Sequence, residues 1–406
     1  MNLMRMIAGG LIAGAVALAA PAEEWTQFRG PNGSAVSNET GLPIKWSKNQ
    51  NIRWKAELPG RGLSGVVVAS GKAYVTACDG PNQSRLHVLC FDAKSGEKLW
   101  QRSIYSTGGT NCHPKTNMAA PTPATDGKAV YALFATADLV AYDAEGNLLW
   151  YRSLTGDYPS ITNQVGMASS PILAAGILVV PMENAGESFI AGIDLKTGKN
   201  LWKTERPHAI NWVTPAMRMA GDKAEIIFQG NEELVAYDAA NGQRRWSYSG
   251  EGGRSEIPSP IVGPKGEVLT PGGELVALQP GDEGQSPKVL WKANKLKGGG
   301  FPTPVYYQGH VYAVNSNGIL ACGDAKNGKV LWQERIKGPI AASPIAADGR
   351  IFVVNEKGLT TVVKLGEKPE IEAQNDLGDD ILATPAIANG AIYLRSDKFL
   401  YCIGAK

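Results

Sequence analysis

The sequence predicts an all-β protein, an eight-bladed β-propeller of four-stranded antiparallel blades whose ring is closed by an N-terminal strand, and three observations lead there. The first is an internal repeat in which an Asp leads a Gly-containing turn and a Leu-Trp-like pair. It reads FDAKSGEKLW to Trp100, YDAEGNLLW to Trp150, IDLKTGKNLW to Trp202, YDAANGQRRW to Trp246 and GDAKNGKVLW to Trp332, with a degenerate LQPGDEGQSPKVLW to Trp291. Counted from Trp54, the Trp-to-Trp steps are 46, 50, 52, 44, 45 and 41 residues. A period of this size marks one supersecondary unit used repeatedly. The second observation is a Ser-Pro or Thr-Pro pair in each unit: Thr122-Pro123, Ser170-Pro171, Thr214-Pro215, Ser259-Pro260, Thr303-Pro304, Ser343-Pro344 and Thr384-Pro385, with Ser64-Gly65-Val66 in the same slot. These mark eight units. The third is composition: Gly 48 plus Pro 25 is 73 of 406 residues, about 18% against roughly 12% in average usage. Without a Gly-X-Y period, that excess means many tight turns and therefore short strands.

In chain order, Arg5 and the apolar run Ile7 to Ala20 precede Ala20-Pro21-Ala22, a small-x-small cleavage pattern. The run falls short of the roughly 20 apolar residues a membrane span needs, so residues 1–22 read as a secretory signal peptide. No Cys follows the run, so a lipid anchor is not expected there. The mature protein is expected to be exported, periplasmic or extracellular, without a transmembrane span. Residues 23–50 read as an N-terminal extension and 51–406 as the propeller. Each unit divides into four strands. In the sixth they are FPTPVYY, HVYAVN, ILACGD and KVLWQE, separated by Gln308-Gly309, Ser316-Asn317-Gly318 and Lys326-Asn327-Gly328. Alternating apolar positions between Gly and Asn turns make an antiparallel meander, and four strands in about 40–50 residues make a propeller blade. Proline near the start of the first strand suits an inner edge strand, where no ladder bond is lost. The eighth unit stops after three strands, while the Trp54 strand has no unit of its own. Residues 51–58 are therefore expected to supply the missing strand and close the ring, which removes an exposed edge. The seventh unit is the weakest, with Ala373 where the spacing expects Trp.

Lys+Arg 40 against Asp+Glu 38 excludes the basic surplus of a nucleic-acid-binding protein. No G-x-S-x-G, H-E-x-x-H or G-x-x-x-x-G-K-[ST] occurs. The five cysteines include no adjacent pair and no C-x-x-C. Cys90, Cys322 and Cys402 share one repeat slot, two before the Asp position, that Ala141 and Ala236 fill in other units. A slot that accepts Ala or Cys is a tight, buried packing position, so these thiols read as inert core. Cys78 and Cys90 fall on adjacent strands, which leaves their pairing open. Cys112 and His113, even with His208, fall short of the three or four ligands a metal site needs, so no metal site is expected. The repeated Trp residues read as blade-to-blade packing, and the repeated Asp, as at Asp143 and Asp238, as a turn residue bonding nearby amides.

Repeats of the form LVAxDAxTGKxLW led by SP or TP strands resemble the pyrroloquinoline-quinone (PQQ)-like propeller repeat over about residues 51–406, and TQFRGPNG (Thr26 to Gly33) resembles the start of exported proteins with that repeat. The resemblance implies one of two branches: non-catalytic scaffolds, such as the outer-membrane-protein assembly lipoprotein, or quinoprotein dehydrogenases. The second branch implies PQQ under a disulfide of neighbouring cysteines, with calcium held by acidic and amide side chains and an Asp base. This chain lacks neighbouring cysteines, which favours the first.

The long connections cluster in the early blades: CDGPNQSR at 78–85, residues 101–120 with NCHPKTNM, 151–168 with GDYPSITNQVGM, and MENAGES at 182–188. All four are expected on one face, where long loops on a rigid scaffold carry binding residues. The candidate ligand-binding residues are His113, Lys115, Asn117, Gln164, His208, Asn211, Trp212, Arg254 and Glu256, all expected to head toward the axis. Trp212 stands outside the repeat slot, at the channel entrance. The function expected is an exported, non-catalytic scaffold binding envelope or secreted proteins, or a small ligand at the channel mouth. The alternatives are a PQQ- and calcium-dependent oxidoreductase and a glycan- or peptide-binding module.

Overall fold

The computed structural model describes residues 23–162, 166–250, 257–281 and 284–404. Eight four-stranded antiparallel sheets follow one another in chain order and form an eight-bladed β-propeller. In the sixth blade the strands are Val305–Tyr307, His310–Val314, Ile319–Asp324 and Val330–Arg335, separated at the three turns read from the sequence. Ile52–Glu57 pairs antiparallel with Phe399–Ile403, so the eighth blade takes its outer strand from the start of the propeller and the ring closes as expected. Among the described residues, no helix is long and apolar enough to cross a membrane.

The repeat residues have separate physical tasks. The Asp carboxylate accepts the amides of its own turn: Asp92 from Lys94 and Ser95, Asp143 from Glu145 and Asn147, Asp194 from Lys196 and Thr197. The next residue's carbonyl accepts the indole N–H of the preceding blade's Trp. Trp54 reaches Ala93 at 3.0 Å, Trp100 reaches Ala144 at 3.0 Å, Trp150 reaches Leu195 at 2.8 Å, Trp202 reaches Ala239 at 3.0 Å and Trp291 reaches Ala325 at 2.8 Å. The turn Gly then lies against that same ring. A Cβ on Gly146, at φ 84°, would stand 2.8 Å from the Trp100 indole. At these five joints the indole, the carbonyl and, where it lies against the ring, the turn Gly weld one blade to its neighbour, whereas Trp246 donates instead to Glu225 of its own blade at 3.3 Å.

Register explains the cysteines. Cys90, Cys322 and Cys402 stand directly opposite Trp100, Trp332 and Trp54, as Ala141, Gly192, Ala236 and Ala277 stand opposite the other tryptophans. A small residue must face each indole. Blade seven inverts the pair, with Val362 opposite Ala373. That blade receives Trp46 of the N-terminal extension beside its outer strand: the buried Trp46 donates its backbone N–H to Asn375 at 2.9 Å, and Asn375 returns a bond to Ile44. All five cysteines are free. Cys78 faces Leu86 and Cys90 faces Tyr74, so the two thiols are out of register for a disulfide. Burial pushes the thiol of Cys90 up to about 12 and that of Cys78 up to about 11, which leaves both inert at neutral pH.

Candidate functional site

The eight approaches to the innermost strands line the propeller axis, and they build it in layers. The Ser-Pro and Thr-Pro hydroxyls form one layer. The N–H of Thr122 donates to Ser170 Oγ, Ser170 to Thr214, Thr214 to Ser259, Ser259 to Thr303 and Thr303 to Ser343, each at 3.0 Å. Ser343 donates to Thr384 at 3.1 Å, and Gly65 donates to Thr122 at 2.8 Å. Each blade therefore satisfies a buried amide of its neighbour. The relay is interrupted once, where Thr384 meets Gly65, which has no hydroxyl to offer. At that seam Arg395, 1% exposed, replaces it. Its guanidinium donates to Ser64 Oγ at 2.8 Å and to the Thr76 carbonyl at 2.7 Å.

Two residues before each hydroxyl lies a second layer, because positions i and i−2 of extended chain face the same way. It comprises Leu63, Ala120, Ala168, Trp212, Ile257, Phe301, Ala341 and Leu382, an apolar collar around the axis. The floor is Phe28. The extension passes beneath the ring, bridging Trp25 to Val68 and Val36 to Ala346, while Thr26 accepts the N–H of Thr125 and Gln27 that of Leu173. The result is an axial well of about 380 Å³, within the range of small-molecule sites.

The connection between blades one and two crosses the mouth of the well. Lys115 pairs with Glu356 of blade seven at 2.6 Å, and its ammonium lies 5.3 Å from the centre of the Phe301 ring. His113 accepts the Lys115 amide through Nδ1 at 3.1 Å. The four long connections interlock on this face. Met118 donates to Gln83 at 3.1 Å, Gly166 to Thr110 at 3.2 Å, Thr162 to Asn184 at 3.1 Å, and the Trp212 indole to the Gly166 carbonyl at 2.8 Å.

Of the nine candidates, His113, Lys115 and Trp212 line the well. Asn211 is fully buried between blades three and four, where it donates to Glu183 and to the Gln229 carbonyl. Glu183 also accepts from Arg206 at 2.7 Å, and Arg206 reaches Tyr237 at 2.8 Å, so Asn211 belongs to a buried structural network. Burial raises the Glu183 carboxyl above the usual range. Asn117 is likewise fully buried and bonds the Ala119 amide. His208 is exposed and does not line the well. Gln164, Arg254 and Glu256 lie outside the described residues. The sequence reading missed the collar, although counting back two residues from each Ser or Thr locates it. It also missed Phe28 and Glu356, which the chain brings to the axis from far away with no local signature.

The donor set does not suit PQQ with calcium. Calcium takes carboxylate, carbonyl and amide oxygens, whereas the described side chains lining the well include hydroxyls, one His and one Lys but no carboxylate or amide. No group of three His, Cys, Asp or Glu able to hold a metal occurs among the described residues.

Residues 30–174, 85–266 and 271–369 match the family model described as outer membrane protein assembly factor BamB. The relative of that name from Yersinia pestis is 23% identical over 304 residues, which is 75% of this chain and 65% of that protein, just under two thirds of its length. The one from Burkholderia pseudomallei (strain K96243) is 23% identical over 328 residues, 72% of this chain and 81% of that protein. Among solved structures, quinohemoprotein alcohol dehydrogenase from Comamonas testosteroni superimposes with a TM-score of 0.75 at 13% identity, covering 96% of this chain and 82% of that one. BamB from Moraxella catarrhalis superimposes with a TM-score of 0.60 at 15% identity, covering 87% and 98%. At these identities the structural likenesses show the fold.

Proposed function

This chain belongs to the PQQ-repeat family described as outer membrane protein assembly factor BamB, and from that premise we propose that it is an exported, non-catalytic propeller that binds proteins of the cell envelope as a scaffold. Residues 1–22 act as its export signal in this reading, 23–50 as the extension and 51–406 as the propeller. The observation that carries it is the interlocked face of blades one to three. The described residues of four long loops are tied to one another by hydrogen bonds, which favours a preorganised surface and lowers the ordering cost of binding a partner. Among the described residues, the well offers no carboxylate or amide that would serve the oxidoreductase alternative.

Photo-crosslinking residues placed at Asn82 and at Asn111, both exposed on that face, test the proposal against one at Lys326, exposed on a turn of the opposite face. The expected result is one protein adduct shared by the first two positions in envelope preparations and missing at Lys326. Equal labelling at all three positions would refute this face as the binding surface.

A further inference from the structure

Each ring hydroxyl accepts one backbone N–H, which fixes its oxygen, but a hydroxyl also has a proton to donate. Thr122, Ser170, Thr214, Ser259, Thr303, Ser343 and Thr384 all line the well, and no acceptor for these protons is found among the described residues. The middle of the well is therefore a circle of donors seeking oxygen or another acceptor. Charge points the same way. Close behind the lining, though not part of it, the buried Arg29 guanidinium donates to the Pro304 carbonyl, next to Thr303, while its Nε and Nη1 meet no protein acceptor, so it adds positive potential near the ring rather than a contact. Burial lowers its pKa to about 9, so it stays cationic at neutral pH. At the mouth Lys115 is already neutralised by Glu356. Above the donors, Trp212, Phe301, Ile257, Leu63 and Leu382 present hydrocarbon. Donors low down with an apolar sleeve above define an amphiphile's complement, in which the few polar groups fix orientation and the walls supply affinity.

We propose that the axial well binds a small amphiphilic acid, with its carboxylate seated against the Ser/Thr hydroxyl ring and its hydrocarbon body held by the collar. Size agrees. A cavity of about 150 Å³ holds a benzene molecule, and this one has about 380 Å³, room for a chain of about eight carbons. The site is separate from the outer loops assigned above to protein binding, so either proposal can fail alone.

Titration calorimetry of the purified full chain at neutral pH with octanoate, 1-octanol and acetate tests the assignment. Octanoate is expected to bind one-to-one and at least about tenfold more tightly than 1-octanol, with no measurable binding of acetate. Ala341→Phe fills the collar and should abolish octanoate binding while leaving the β-sheet circular dichroism and the melting temperature unchanged. Ala168→Leu, filling the opposite side, serves if Ala341→Phe misfolds. Octanol binding as tightly as octanoate would overturn the role of the hydroxyl ring. Failure of octanoate to saturate, or undiminished binding in a folded, filled variant, would overturn the site.

Discussion

The seam between blades eight and one keeps the tryptophan weld, Trp54 to Ala93, but does by different means what the hydroxyl ring does at the other seven joints. Away from the seam, a Ser or Thr hydroxyl accepts the neighbouring blade's amide at 2.8–3.1 Å. At the seam Gly65 holds the hydroxyl's place, and Arg395 binds Ser64 and Thr76 across the joint. A Cβ at Gly62 would collide with that guanidinium, so the glycine makes room for it. The seam also carries the paired strand Ile52–Glu57 and an ion pair from Arg61 to Asp397 at 3.1 Å. A repeated joint can make do with one hydroxyl at the axis because both its blades are continuous in the chain. The joint between chain ends has no such continuity and is held by a charged, multiply bonded side chain.

The comparison breaks most completely if the chain end is removed. Deleting residues 23–60 takes away the closing strand, the Phe28 floor and the Trp46 packing on blade seven. Calorimetry should then show no cooperative unfolding transition, because blade eight is left with an exposed edge and its neighbours lose their support. A melting temperature equal to that of the intact mature protein would show that the ring does not depend on its clasp.

Next in size are the tryptophans, which test whether welds differ where the repeat degenerates. Trp100→Ala removes a buried indole, its bond to Ala144 and its contact with Gly146, and should cost about 3–5 kcal/mol in urea unfolding. Trp332→Ala should cost less than half as much. That indole is only half-buried, and blade seven offers KLGEKP in place of the Asp turn that would accept its N–H. Equal losses would mean that neither the deeper burial of Trp100 nor its carbonyl bond and glycine contact strengthens that joint.

The third effect compares the seam and a repeated joint directly. Arg395→Met keeps hydrocarbon volume but leaves the Ser64 and Thr76 carbonyls without their guanidinium donor, while Ser64 Oγ still accepts the Thr76 amide, whereas Ser170→Ala leaves only the Thr122 amide without an acceptor. At about 1–3 kcal/mol for each buried polar group left unsatisfied, the seam variant should lose about twice as much stability. Equality in denaturant unfolding would place the seam's strength elsewhere, in the strand pairing.

These joints also show which parts of the molecule could be read from sequence. Trp100, Asp143 and Ser170 sit at fixed offsets in every good repeat, and fixed offsets on a period-two strand determine facing direction. Blade number, the closing strand and the cysteine slot followed from that regularity. Asn211 misled because position alone placed it near the axis, while Glu183 and Arg206, brought together by a hairpin loop and a strand end, drew it into a buried network. The well was only partly legible. His113, Lys115 and Trp212 were found as polar or aromatic insertions, but the collar escaped notice since each of its residues is an ordinary apolar one. Phe28 and Glu356 reach the axis through tertiary contacts that no local pattern encodes.

The smallest effect asks whether the gap in the hydroxyl ring is a fault that can be mended. Gly65→Ser would set a hydroxyl where the Thr384 amide arrives, completing an eighth step. The backbone conformation is open to other residues, since Gly65 is not among the glycines with positive φ. The space is tight: a Cβ there would lie 3.1 Å from Thr122 Oγ1 and 3.5 Å from the Thr384 carbonyl. Gly65→Ala makes the same contacts without the hydroxyl, so the difference between the two variants isolates the hydrogen bond. Serine should be more stable than alanine by about 0.5–1.5 kcal/mol, whatever the shared steric cost. If the two are equal in denaturant unfolding, the Thr384 amide is already satisfied and Arg395 holds the seam unaided. If serine wins, the seam retains room for the repeat's own solution, and the arginine clasp is an addition to it.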